Sequence, residues 1–322
     1  MAIYDKKYDL LVFGESMVQY TVESKDITTE KLQNPSVGGE GVFVAAEMAK
    51  HGFTSGIYSV IAKDPYENLI RNGLKKYNIN TDNCISGIGY NGIEIVCDAD
   101  NEAREFFYNR PPGFVGPIIS PVVNKELIDQ CRMIYASSSF TFSSDNARSL
   151  IFQTFHYAHH SGSFIAFDPN VRLHRHNLPQ LRETIWMLMP FIDFFSISMA
   201  SNDGAEEKGG EMRAIFGIED PVEVALNLLE KNVRYVAIRN GGENMVFAYR
   251  DEDTGKNIYR QIPVEKLDGG YFSYSGAIFN GAFISAILNE MTPEEAAAYA
   301  VKRATQKCCL GNTLDAIFPM DD

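Results

Sequence analysis

Positive charge is scarce in this chain: 29 lysines and arginines face 42 aspartates and glutamates, a formal net charge of −13. That balance argues against nucleic acid or an anionic membrane as a partner, because both are bound through clustered basic side chains. Any anionic ligand needs a local positive pocket. Cysteine is sparse too. The five cysteines, Cys84, Cys97, Cys131, Cys308 and Cys309, show neither paired metal spacing nor a secreted disulfide framework, and read as reduced core thiols. Long apolar runs are missing, and the residues from Met1 to Lys7 have no signal-type apolar stretch, so a cytoplasmic location is expected. Internal repeats, low-complexity tracts and long linkers are absent as well, which leaves residues 1–322 to be read as one domain. With 45% hydrophobic residues, burying a large core is no difficulty.

The hydrophobic pattern alternates between short apolar runs and helical periodicity. Tyr8 to Gly14 reads as a buried strand leading into a loop, Gly41 to His51 as a helix stopped by Gly52, and Ile57 to Ile61 as a strand. A helix near Tyr66 to Lys76 and strands at Gly92 to Cys97 and Met133 to Ala136 follow. The second half repeats strand and helix more cleanly. Helices are expected at 146–159, 181–189, 222–230, 275–288 and 292–308, strands at 164–168, 191–197 and 235–239, and a hairpin over 245–263. Such alternation implies an α/β fold whose mainly parallel sheet is covered on both faces, with ligands at the carboxyl ends of the strands. Residues just after Phe13, Phe167, Ile197 and Ile238 are therefore the ones to inspect.

Several motifs fall there. Val37-Gly38-Gly39-Glu40-Gly41 precedes a helix, where glycines let the backbone approach a polyhydroxylated ligand; mere turn chemistry is the competing reading. Asp168-Pro169-Asn170-Val171-Arg172 follows a strand and offers polar groups to a strand-end crevice, or a turn and cap. Arg104 to Arg110 mixes aromatics with two arginines, either a strand-edge surface or an anion site. Ile238 to Asn244 is a strand running into a glycine turn. His156, His159 and His160 share a helix, and read as a solvated face rather than a metal site; His174 and His176 have no better support.

Taken in order, these pieces resemble the ribokinase (PfkB) family of carbohydrate kinases across nearly the whole chain. The resemblance rests on Gly38-Gly39, Asp64-Pro65-Tyr66, Phe167 to Arg172, the turn at Gly241, Phe279-Asn280-Gly281-Ala282-Phe283 and the closing Ala316-Ile317-Phe318-Pro319. It implies a three-layer sandwich with a small β-sheet lid, lid strands from about 15–36 and 90–115, ATP and Mg as cofactors, a small sugar or sugar acid as ligand, and a homodimer. Gly14 to Val18 and Phe107 to Arg110 look most like 2-keto-3-deoxygluconate kinases, which gives Tyr108, Arg110 and Arg172 an acid-sugar role. The resemblance further assigns Gln19, Gly38, Gly39 and Asn170 to the substrate, and Ser198, Arg239, Gly241 and Gly276 to the nucleotide.

The chain departs from the family pattern where the chemistry is done. Family members use an aspartate base in Gly-Ala-Gly-Asp, whose amides form an anion hole at a helix start. Here Tyr274-Ser275-Gly276-Ala277 falls on that motif, so Ala277 stands where the base would be and Tyr274 where the first glycine would be. Asp268, nine residues earlier, is a poor substitute. Ser201 falls on the acidic residue of the family's Asn-x-x-Glu, which leaves no metal ligand in the expected set, Gln19 on the sugar-binding aspartate and Phe43 on the asparagine after Gly-Gly. The first expectation is a kinase-fold protein that binds a sugar acid or nucleotide with weak or absent phosphotransfer. The second is an active ATP-dependent sugar kinase with a base from the altered loop 268–275, and the third a non-catalytic scaffold.

Overall fold

A computed structural model of the chain describes residues 6–22, 32–97, 105–116, 118–171, 177–199 and 210–319. The main sheet holds β1 (Tyr8–Phe13), β4 (Ser55–Ala62), β5 (Ile79–Asn80), β6 (Cys84–Gly87), β9 (Cys131–Ser137), β10 (Phe164–Asp168), β11 (Phe194–Ser198), β12 (Tyr235–Asn240), β13 (Glu243–Arg250) and β14 (Asn257–Ile262). Its order is β14-β13-β12-β11-β10-β9-β1-β4-β5, with β6 also on β4. From β12 to β5 the pairing is parallel, and the pairs β12–β13 and β13–β14 are antiparallel, so only β13 runs against the rest. A second sheet, in the order β3-β2-β7-β8, is built from β2 (Met17–Val22), β3 (Ser36–Gly38), β7 (Ile93–Cys97) and β8 (Glu105–Asn109).

The helices are α1 (Glu40–Lys50), α2 (Glu67–Lys76), α3 (Lys125–Asp129), α4 (Ser138–Thr141), α5 (Asp145–Ser161), α6 (Leu178–Leu188), α7 (Gly210–Phe216), α8 (Pro221–Leu229), α9 (Ser275–Leu288), α10 (Pro293–Cys308) and α11 (Leu314–Ile317). They cover the main sheet on both faces. Successive strand residues divide accordingly: Leu10 and Val12 join the core with α1, α9 and α10, while Leu11 and Phe13 join the core with α5, α6 and α8. A strand buried on both faces has no polar side to display, which is why β1 is apolar without a break over residues 10–13. α9 is apolar all round because it is buried all round, between the sheet, α1 and α10.

α10 is started by a capping box, Thr292 and Glu295 exchanging side-chain and backbone bonds ahead of Pro293. Thr292→Ala is expected to cost about 1 kcal/mol, read as a lower urea midpoint with unchanged slope.

Two of the helices beside the cleft, α1 and α10, are tied by a buried ion network. Glu47 of α1, fully enclosed, takes both forks of Arg303 of α10 at 2.8 and 3.0 Å and a bond from His51 at 3.0 Å. Burial alone would raise the Glu47 carboxyl, but His51 and Arg303 hold it below its usual value.

Two expectations change here. The cysteines are free, but only Cys97, Cys131 and Cys308 are buried; Cys84 is half-buried and Cys309, just past the end of α10, is exposed. The segment Arg104 to Arg110 is, over its described part, the edge strand of the second sheet, and one face of it lines a cleft: in β8, Phe106 and Tyr108 face the cleft while Phe107 is exposed, the alternation of a half-buried strand. The three histidines of α5 are exposed, and no group of three metal-ligating side chains occurs among the described residues. No helix among them is long and apolar enough to cross a membrane.

Candidate active site

The carboxyl ends of β1, β9, β10, β11 and β12 open into one cleft of about 490 Å³, reached by Gly14, Glu15, Ser137, Asp168, Ser198, Arg239 and Asn240. The second sheet walls one end with Met17, Glu94, Phe106, Tyr108 and Arg110, and α1 and α9 supply Gly39, Glu40, Gly276 and Ala277. The other end is an apolar slot of Val264, Leu267, Phe272, Val301 and Ala304 beside the turn at Gly241 and Gly242. Parallel strands all point the same way, so their polar exits converge.

At the strand ends a buried polar chain runs across the floor. Asp168 accepts from Arg239 at 2.8 Å and from the Asn280 amide at 2.8 Å, and its Oδ1 accepts the Asn170 N–H at 2.9 Å. Asn280 also donates to the Tyr135 hydroxyl at 3.2 Å, and that hydroxyl donates in turn to Glu40. Burial, with Asp168 nearby, pushes the Glu40 carboxyl up to about 7. Arg239 packs flat against Gly276, where a Cβ would run into its guanidinium, so a charged fork sits over the first turn of α9.

At the second-sheet end, positions that look like unrelated losses in the sequence meet in space. The Tyr274 ring stacks on Phe43 at 3.9 Å and 9°, and Phe106 closes edge-on at 5.5 Å. The Tyr274 hydroxyl donates to Glu94 at 2.5 Å, and the Gly39 N–H donates to the same oxygen at 2.8 Å. Tyr274 caps α9 with φ 63°, a left-handed conformation that glycine adopts freely and tyrosine does not. Gly39, at φ 105°, also lies where a Cβ would strike the Glu15 carbonyl. The loop ahead of Tyr274 is held by the enclosed Lys307, whose ammonium donates to the Tyr271 carbonyl at 2.5 Å and to Asn312 at 2.8 Å.

Of the expected site residues, Gly39, Tyr108, Arg110, Asn170, Ser198, Arg239, Gly241, Gly276 and Ala277 line this cleft. Gln19 does not: its amide is fully buried and donates to the Asn312 carbonyl at 2.7 Å. Gly38 lies beneath, packed against Gln19 and Glu94. Arg172 and Ser201 lie outside the described residues. Arg110 reaches the cleft already paired. It stacks over Tyr108 at 4.9 Å, as an aromatic-arginine pair should, but its guanidinium is ion-paired with Glu15. Burial works against the Arg110 charge, and Glu15 more than offsets it, raising the group above its usual value. Glu40 and Glu94 went unrecognised as site groups, the first inside a glycine motif and the second on an ordinary half-buried strand.

The family model for pfkB family carbohydrate kinases matches residues 7–317. The chain belongs to the pfkB family. It is 21% identical to probable fructokinase-7 of Arabidopsis thaliana over 323 aligned positions, covering 97% of this chain and 87% of that protein. Fructokinase-2 of Zea mays is 24% identical over 190 positions, 58% of this chain and 56% of the relative, so that match spans little more than half of the maize protein. Among solved structures, a putative ribokinase II from E. coli in complex with ATP and Mg superposes with a TM-score of 0.79 at 17% identity, covering 96% of each chain. At that identity the likeness establishes the ribokinase-like fold: a mainly parallel sheet with a separate small sheet.

ATP suits the apolar slot of this pfkB-family chain. Val264, Leu267, Phe272, Val301 and Ala304 would hold a base, the Gly241–Gly242 turn leaves backbone room for the ribose, and Arg239 with the α9 amides would face the phosphates. For magnesium the described residues offer less, since Asp168 is already committed to Arg239 and Asn280.

Proposed function

We propose that this pfkB-family protein binds a nucleotide in the apolar slot and a small polyhydroxylated ligand at the second-sheet end, with weak or absent phosphoryl transfer. The observation that carries this reading is the Phe43–Tyr274 stack, locked to Glu94, directly beside Ala277. The resemblance places a sugar-binding asparagine, a glycine and the catalytic aspartate at those three positions. Of their replacements, Phe43 and Tyr274 form a ring stack that fills the space, and Ala277 offers no group to accept a proton. The acid-sugar assignment loses its support, because Glu15 already neutralises Arg110. The family's homodimer and the cytoplasmic location remain part of the proposal. Phe107 and Tyr90, exposed apolar residues of and beside the second sheet, suit a dimer contact.

Calorimetry with a non-hydrolysable ATP analogue tests the nucleotide half; micromolar binding is expected, and no binding of nucleotide or sugar would instead favour a scaffold. A second reading has one specific observation in its favour. Glu40, a cleft carboxyl held near pH 7, has the proton affinity a general base needs, so an active kinase with Glu40 as its base is the alternative. That reading requires measurable turnover in the wild type and its loss in Glu40→Gln.

A further inference from the structure

The charges at the second-sheet end do not balance. Four carboxylates line it, Glu15, Glu40, Glu94 and Asp168, against two guanidiniums, Arg110 and Arg239. Arg110 is ion-paired with Glu15 and Arg239 with Asp168, which leaves Arg239 Nε, without a partner, for the nucleotide end. Glu94 and Glu40 form no ion pair among the described residues: Glu94 accepts from Tyr274 and the Gly39 amide, and Glu40 from Tyr135. Glu15 adds an independent sign of a missing donor. Its side chain is only 8% exposed, it lines the cleft, and its Oε1 has no hydrogen-bond partner. A buried acceptor left without a donor is costly, and a carboxylate more so.

Among the described residues, no three of these groups are placed to hold a metal ion together. Aromatic faces stand beside them instead. Phe106 and Tyr108 are stacked in parallel at 5.9 Å along β8, on the wall that also carries Arg110. Carboxylates flanked by ring faces favour an ammonium group with apolar or hydroxylated carbons around it.

We infer that the second-sheet end of the cleft selects a polyhydroxylated amine, such as an amino sugar or amino polyol, in preference to an acid sugar. The amine supplies the charge that Glu94 and Glu40 lack, and its hydroxyls supply donors to Glu15. The inference rests on the cleft being a ligand site with weak or absent transfer, and the measurement separates the two. Glu40 faces Tyr135 and Ser137 of β9, Asp168 of β10 and Arg239 of β12, with Asn280 of α9 behind Tyr135. Because burial raises both carboxyls, Glu40 to about 7, a bound cation favours their ionised forms, so amine affinity should rise from pH 6 to pH 8.

The test is calorimetry with three six-carbon ligands that differ at one end: glucamine, sorbitol and gluconate, each with and without an ATP analogue. The expected order is glucamine, then sorbitol, then gluconate, with at least a tenfold gap between the first and last at pH 8 and a smaller gap at pH 6. Glu94→Gln keeps the shape and the accepted hydrogen bonds, and should cut the gap to about threefold or less. Gluconate binding as tightly as glucamine, an undiminished preference in Glu94→Gln, or no binding of any of the three would overturn the inference. ADP formation with any ligand would instead count against weak transfer, whatever the order of affinities.

Discussion

Replacing Ala277 by aspartate alone is expected to leave ATP-dependent phosphorylation of fructose and 2-keto-3-deoxygluconate at background. Restoring Phe43→Asn and Tyr274→Gly together with Ala277→Asp is expected to raise it about a hundredfold to ten-thousandfold, the usual worth of a positioned general base. The reason for the difference is physical. A carboxylate at position 277 would face a ring stack, and a substrate hydroxyl has no place there until Phe43 and Tyr274 give way. Tyr274→Gly also removes a left-handed tyrosine, which costs on the order of 1 kcal/mol or more, so part of the lost stacking is recovered. A coupled ADP assay on the single and triple variants reads both outcomes. If Ala277→Asp alone confers turnover, the stack is not the obstacle.

Arg303→Met is expected to destabilise the protein by about 3–5 kcal/mol, since it strands the enclosed Glu47 carboxylate without its main partner. A drop in melting temperature of roughly 6–15 °C follows from the usual scaling for larger domains. Because Glu47 is held below its usual value in the fold, its contribution is fully present above the unfolded carboxyl range. It is lost as pH falls through the lower folded value. The gap between wild type and Arg303→Met should therefore narrow below about pH 4, where a freed Glu47 is protonated. Glu47→Gln added to Arg303→Met should recover much of the loss, because no buried charge remains. An equal or larger loss in the double variant would place the cost in packing instead.

Much of the fold was legible because its strands are buried on both faces and its helices start and stop on recognisable residues. β1, β10 and β12 have apolar cores at residues 10–13, 164–167 and 235–238, and their exits at Gly14, Asp168 and Arg239 lie in the cleft as the strand-end rule requires. The second sheet left a weaker trace: β3 spans three residues, too short for any periodicity to register. In the site, the sequence identified the changed positions but not what joins them. Phe43 and Tyr274 are far apart along the chain, and only the packing of α1 on α9 makes them a pair. Arg110 was legible as a cation and illegible as a neutralised one, because its partner Glu15 comes from another element. Glu94 lies in no motif, and Glu40 in one marked by its glycines. Their significance is that neither is directly ion-paired among the described residues, which only a three-dimensional arrangement discloses.

The most direct measurement is ADP release by the wild-type protein at saturating ATP and magnesium across neutral, acidic and amino sugars. Turnover indistinguishable from the ATP-only background is expected for all of them, with binding still detectable by calorimetry. Robust, sugar-dependent turnover that survives Phe43→Ala and disappears in Glu40→Gln would contradict the account and establish Glu40 as the working base.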